Sequence, residues 1–97
     1  MQIRLHSTIR GQVGQHLVEV DLPAKASVQT ALDAITTKIP VLRTLLFDDE
    51  GVLQPNIVIF RNGRNIEFLG GMDTPLEAEH ALDIFPRTGA QRALIKE

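Results

Sequence analysis

Apolar and polar residues alternate at the start of the chain: Ile3 and Leu5, with Ser7 in phase, against Gln2, Arg4 and His6. A period of two predicts a half-buried strand over residues 2–9. Gly11 and Gly14 then punctuate a turn, and Val18, Val20 and Leu22 alternate with Leu17, Glu19 and Asp21 as a second strand. The two make an opening hairpin closed by Pro23, its loop from Arg10 to His16 longer than the tightest hairpin turns. Beyond it the period changes. Ser27 is a good N-cap, and behind it Val28, Ala31, Leu32, Ile35 and Ile39 recur at helical spacing as one apolar stripe. Pro40 ends this helix, because it lacks an N–H and its ring obstructs the preceding turn. Val41, Leu42, Leu45 and Leu46 predict a short second helical piece on the same core.

Asp48-Asp49-Glu50-Gly51 reads as a turn, and the run Ile57-Val58-Ile59-Phe60, apolar on both faces, as a central strand. Asn62-Gly63 favours a tight turn with positive φ, leading to a short strand around Ile66 to Leu69. Gly70-Gly71 reads as a flexible kink, Asp73-Thr74-Pro75-Leu76 as a turn-rich link, and Ala81 to Pro86 as the last strand. The predicted order is strand, strand, helix, strand, short strand, final strand. A mixed sheet with a helix across one face is an α+β architecture. No repeat, low-complexity segment or second domain interrupts it. If Ile57 and Ile59 face the helix, Val58 and Phe60 face away from it, with Phe85 near them across the sheet.

Composition narrows the function classes. Ninety-seven residues make one domain, large enough to bury roughly 60–65% of its unfolded surface. With 43% apolar and 23% charged residues the chain has the make-up of a soluble globular protein rather than a disordered one. No apolar run approaches the roughly 20 residues that span a bilayer. The alternating start has no signal-peptide apolar stretch, so a cytoplasmic location and no membrane partner are expected. Without cysteine there is no disulfide, thiol nucleophile or thiolate metal site. A net charge of −2 argues against a nucleic-acid partner, and Arg64, Arg87 and Arg92 are too dispersed to overturn that. His6, His16 and His80 lack ligand spacing, and the acidic turn lacks the calcium-loop pattern, so no metal and no cofactor are expected. Ser7 and Thr8 have no orienting acid nearby in sequence, and nothing resembles a nucleophile elbow. An enzyme in its own right is not expected, since no acid/base or nucleophile set is visible.

Four short elements follow one another closely: Asn62-Gly63-Arg64, Gly70-Gly71, Asp73-Thr74-Pro75-Leu76 and Leu82-Asp83-Ile84-Phe85-Pro86. Together they resemble the second half of the ubiquitin-like sulfur carriers of the MoaD/ThiS family, among them the small subunit of molybdopterin synthase and the thiamine sulfur carrier. The branch that serves cysteine synthesis is the nearest in pattern, and it matches Gly70-Gly71 as a mid-chain element. The resemblance implies a ubiquitin-like β-grasp: a mixed sheet of four to five strands with one main helix across it. It further implies a first and a last strand lying parallel at the centre, a domain over residues 1–88 and a tail over residues 89–97. In the family's turn before the last strand an acidic-Gly-Asp element is common; here Ala78-Glu79-His80 stands instead.

The same resemblance implies a chemistry. In the family a ubiquitin-activating-type adenylyltransferase converts the C-terminal glycine into an acyl-adenylate. Sulfur then replaces AMP to give a thiocarboxylate, used by a sulfur-accepting synthase subunit. Glycine serves because the extended tail threads a narrow channel where a Cβ obstructs. This chain departs from that pattern: Pro86 is followed by Arg87-Thr88-Gly89-Ala90-Gln91-Arg92-Ala93-Leu94-Ile95-Lys96-Glu97, with no Gly-Gly. Counted from Pro86, the family's glycines fall on Ala90 and Gln91 or, with one residue deleted, on Gly89 and Ala90. Two expectations follow. Either a protease trims the tail and exposes a carboxylate at Gly89, or the domain is a non-conjugating binding module, a scaffold or regulatory subunit. A ubiquitin-like domain of a phage tail-assembly protein, with a similar Pro-Arg and Gly-Ala ending, is a third and weaker reading. Residues 90–97 are mostly good helix formers, so a short helix or a frayed end is the bland alternative. The expected partner surface comprises Val58, Phe60, Arg61, Phe85 and Arg87, with Arg61 and Arg64 placed to pair with acids of a partner.

Overall fold

The computed structural model describes residues 1–86. Strand β1 spans Gln2–Leu5, helix α1 Ser7–Val13, β2 Leu17–Glu19, α2 Val28–Lys38 and α3 Val41–Leu46. Strands β3 (Ile57–Arg61) and β4 (Arg64–Asn65), two 3-10 turns (Ile66–Phe68 and Gly71–Asp73) and β5 (Ala81–Pro86) complete the described chain. The sheet order is β2-β1-β5-β3-β4, with β1 and β5 parallel and the other pairs antiparallel. The first and last strands thus meet at the centre, with Ile3 opposite Leu82 and Leu5 opposite Ile84.

One face of the sheet carries the core. Ile3, Leu5, Ile57, Ile59, Leu82 and Ile84 pack with Val28, Ala31, Leu32 and Ile35 of α2 and Leu42 and Leu46 of α3. The predicted helical stripe is the one buried, save Ile39 at its end, which is only partly so. Ser27 caps α2 through a full capping box: its Oγ accepts from the Thr30 N–H, and the Thr30 hydroxyl accepts from the Ser27 N–H. Pro40 ends α2 and stands at the N-cap of α3.

The structure corrects the sequence reading in four places. The first strand stops at Leu5, and residues 7–13 form a helix rather than strand and loop. Ser7, at φ 53, turns the chain out of the sheet, and Ile9 buries itself in the core. Gly14 is the left-handed C-cap of that helix, its N–H bonded to the Arg10 carbonyl, and not merely a turn residue. The second strand ends at Glu19 because its partner strand runs out: Gln2 is opposite Glu19, and the Val20 N–H reaches the Met1 carbonyl.

The third difference is β4. It holds only Arg64 and Asn65, because the Asn65 side chain accepts from the Glu67 N–H and winds the chain into a 3-10 turn that buries Ile66. The tight turn before it is as predicted, with Asn62 at φ 49 and Gly63 at φ 82. Finally, Gly70-Gly71 is a tied loop. The buried Thr74 hydroxyl accepts from the Gly70 N–H at 2.9 Å and donates to the Gly71 carbonyl.

Candidate functional site

Strand alternation places Arg4, Asp83, Phe85, Val58 and Phe60 on the face of the sheet opposite α2, since their neighbours face the core. The parallel pairing sets Arg4 beside Asp83, while the antiparallel pairing sets Phe60 beside Asp83 and Val58 beside Phe85. His6 follows directly after β1 and is held there by its backbone N–H, which donates to the Ile84 carbonyl.

Asp83 is the hub of this face. Its carboxylate receives two bonds from Arg4, Nε to Oδ1 at 2.8 Å and Nη2 to Oδ2 at 2.9 Å, in the two-pronged geometry that suits guanidinium and carboxylate. His6 Nε2 lies 2.8 Å from the same Oδ1. A carboxylate only accepts, so the ring proton sits on Nε2. That bond fixes the plane of the imidazole, which stacks on Phe85 with ring centroids 4.2 Å apart and planes 10° from parallel. Phe60 meets Phe85 edge-on at 5.6 Å and 65°. Phe85 is thereby held between a stacked imidazole and an aromatic edge. Directly after it comes Pro86, buried opposite Ile57, where the described chain ends.

No protein-family model matches the chain. Small archaeal modifier protein 3 of Haloferax volcanii is 29% identical over 86 residues, covering 89% of this chain and 92% of that protein. Small archaeal modifier protein 1 of the same organism is 35% identical over 63 residues, covering 65% of this chain and 72% of that protein. The crystal structure of that modifier from H. volcanii superposes with a TM-score of 0.83 at 29% identity, over 92% of this chain and 96% of that one. The chain belongs to the MoaD/ThiS-type family of ubiquitin-like β-grasp carriers and modifiers.

Among β-grasp carriers the tail is where chemistry is expected, and here Arg87, Gly89 and Ala90 lie outside the described residues. Of the remaining predicted surface residues, Phe60 and Phe85 come together half-exposed on the outer face. Val58 shares that face opposite Phe85 but is only 3% exposed, so it does not present itself. Arg61 is a correction. It follows Ile57 and Ile59 on the helix side of the sheet, where its Nη1 donates to the Pro75 carbonyl at 2.9 Å, so it does not border the Phe60–Phe85 patch.

Sequence reasoning missed Arg4, His6 and Asp83. Arg4 and Asp83 stand 79 positions apart, and no local pattern links them. The signal was the parallel pairing of first and last strands, which brings the polar phase of one beside the polar phase of the other. Among the described residues no group of three or more His, Cys, Asp or Glu side chains could hold a metal ion. No described helix is long and apolar enough to cross a membrane.

Proposed function

We propose that this protein is a ubiquitin-like sulfur carrier or modifier whose usable end is Gly89, exposed by removal of the residues beyond it. The supporting observation is the pre-ordered aromatic face of Phe60, Phe85 and His6 immediately before the point where the tail leaves β5. A carrier must present its terminal carboxylate in register with a partner's adenylating site. A patch held by fixed contacts before the tail gives the partner a reference from which to place the reacting group, which is the entropic part of catalysis. The carrier itself supplies no acid or base; it is the substrate of partner enzymes.

On this reading the Gly89 carboxylate attacks the α-phosphorus of ATP and pyrophosphate leaves, giving an acyl-adenylate. A sulfur donor then displaces AMP and leaves a thiocarboxylate for a sulfur-accepting synthase subunit or for a modified protein. The partners are a ubiquitin-activating-type adenylyltransferase, that acceptor, and a protease that cuts after Gly89. The mechanism requires trimming, because Ala90 and the seven residues after it follow Gly89. The same departure favours a second reading, in which the full-length chain is a non-conjugating binding module that uses the outer face alone.

Intact mass separates the two. The protein is purified from its native host and measured before and after incubation with a cognate adenylyltransferase, ATP and a sulfur donor. The carrier reading expects a species ending at Gly89, then the increase that accompanies replacement of one oxygen by sulfur. A mass that stays at full length under all these conditions sinks it and leaves the binding module.

A further inference from the structure

At the other end of the sheet a pocket of about 420 Å³ opens between the segment before α2 and the link that precedes β5, lined by Lys25, Arg61, Glu77 and His80 around Ala26 and Pro75-Leu76. Its walls are fixed by the backbone: the Leu76 N–H donates to the Ala26 carbonyl, the Val28 N–H donates to the Thr74 carbonyl, and Ser27 bridges Pro75. Ala26 and Leu76 are buried. The polar groups on these walls are unbalanced. Arg61 is anchored through Nη1 to the Pro75 carbonyl, but among the described residues its buried Nε has no acceptor and Nη1 is the one guanidinium nitrogen with a bond. His80 accepts the Glu77 N–H at Nδ1, 2.9 Å away. A nitrogen that accepts carries no proton, so the ring hydrogen is on Nε2, which has no partner among the described residues. Lys25, exposed and held at φ 61, has no ion pair among those residues either. Glu77 is the one carboxylate on the walls, and it too lacks an ion pair among the described residues. The amino end of α2, which begins three positions after Lys25, adds positive potential.

We propose that this pocket binds an oxyanion, the phosphate or carboxylate group of a ligand, through Arg61, His80 and Lys25. Donors in surplus on a fixed frame are what such a group recognises. The net charge of −2 gives the molecule no general attraction for anions, so binding here would be local. The pocket adjoins His80 at the start of β5, whereas the tail leaves after Pro86 at its end, roughly 17 Å away along an extended strand. An occupant therefore leaves the aromatic face free, and the proposal stands whether or not Gly89 is activated.

The test is a nuclear magnetic resonance titration of the full-length ¹⁵N-labelled protein with inorganic phosphate and, separately, with acetate, ionic strength being held constant with potassium chloride. Saturable shifts at the amides of Lys25, Ala26, Arg61, Glu77 and His80 are expected, and the tighter of the two probes identifies the kind of oxyanion. Arg61→Gln is expected to weaken binding about tenfold, the equivalent of one charge-assisted hydrogen bond. Because Arg61 also holds Pro75, Lys25→Asn is the companion variant, since Asn tolerates a left-handed backbone and the Lys25 side chain is exposed, with no ion pair among the described residues; it too weakens binding. Glu77→Gln strengthens it. Shifts spread equally over Arg4, Arg10, Lys38 and Arg64, or shifts that Lys25→Asn and Glu77→Gln leave unchanged, overturn the proposal.

Discussion

Asp83 shows how much one side chain decides at the residue scale. It is 9% exposed, yet satisfies Arg4 and His6 together and sets the ring on which Phe85 rests. Replacing it leaves a guanidinium and an imidazole without their acceptor beside an aromatic cluster. Because Arg4 remains half in water, the loss is smaller than for a fully buried pair. Asp83→Ala is expected to destabilise the fold by about 1–3 kcal/mol in urea unfolding, and Arg4→Ala by less, since Asp83 then keeps His6. Equal losses would show that the hub is not the carboxylate. Phe85→Ala tests the role of the patch. It removes the ring that both His6 and Phe60 contact, and should weaken binding to a cognate adenylyltransferase by roughly tenfold or more if Phe85 is a central contact. Phe68, 79% exposed on the 3-10 turn after β4, is the control whose truncation should leave that affinity unchanged.

At the scale of elements, local chemistry and tertiary demand can be separated by mutation. Ser27 starts α2 by a purely local device, so Ser27→Ala should cost about 1 kcal/mol, measured as a fall in the urea midpoint. Helix α1 is the opposite case. Gly11 sits inside it, where a Cβ would meet nothing within 4 Å and φ is not positive. Gly11→Ala should therefore stabilise the protein by about 0.5–1 kcal/mol, and a destabilised variant would mean that this segment is not helical. These two helices also show what was legible. The stripe from Val28 to Ile35 with its Ser27 cap could be read directly, because the helical period and the cap are local. Segment 7–13 could not be, since a glycine in its middle and another at its end resemble a loop. Ile9 in the core, with Val13 packed against it, is what the helix buries. Likewise the β4 strand predicted around Ile66 to Leu69 gives way to a 3-10 turn, because an Asn65 side-chain bond and the burial of Ile66 compete with pairing to β3.

For the whole molecule, the parallel contact of β1 with β5 is the decisive feature. It joins the two termini of the domain, places the exit of the chain next to the aromatic face, and leaves the cationic pocket at the opposite end of the same strand. The aromatic face and the pocket thus lie at opposite ends of β5.

What the sequence determined by itself was the inventory: an α+β chain, its main helix and short companion, the central β3, the Asn62-Gly63 turn, and an ending without Gly-Gly. Each of these rests on a period, a cap or a backbone requirement spanning only a few residues. The tertiary structure alone decided which polar residues meet. Arg4, His6 and Asp83 become one cluster, Lys25, Arg61 and His80 line one pocket, and Arg61 is carried to the face opposite the one expected for it. The physical reason is that side-chain direction in a strand has a period of two, so contacts across the sheet depend on register and strand order, neither of which is written in any local stretch of the chain.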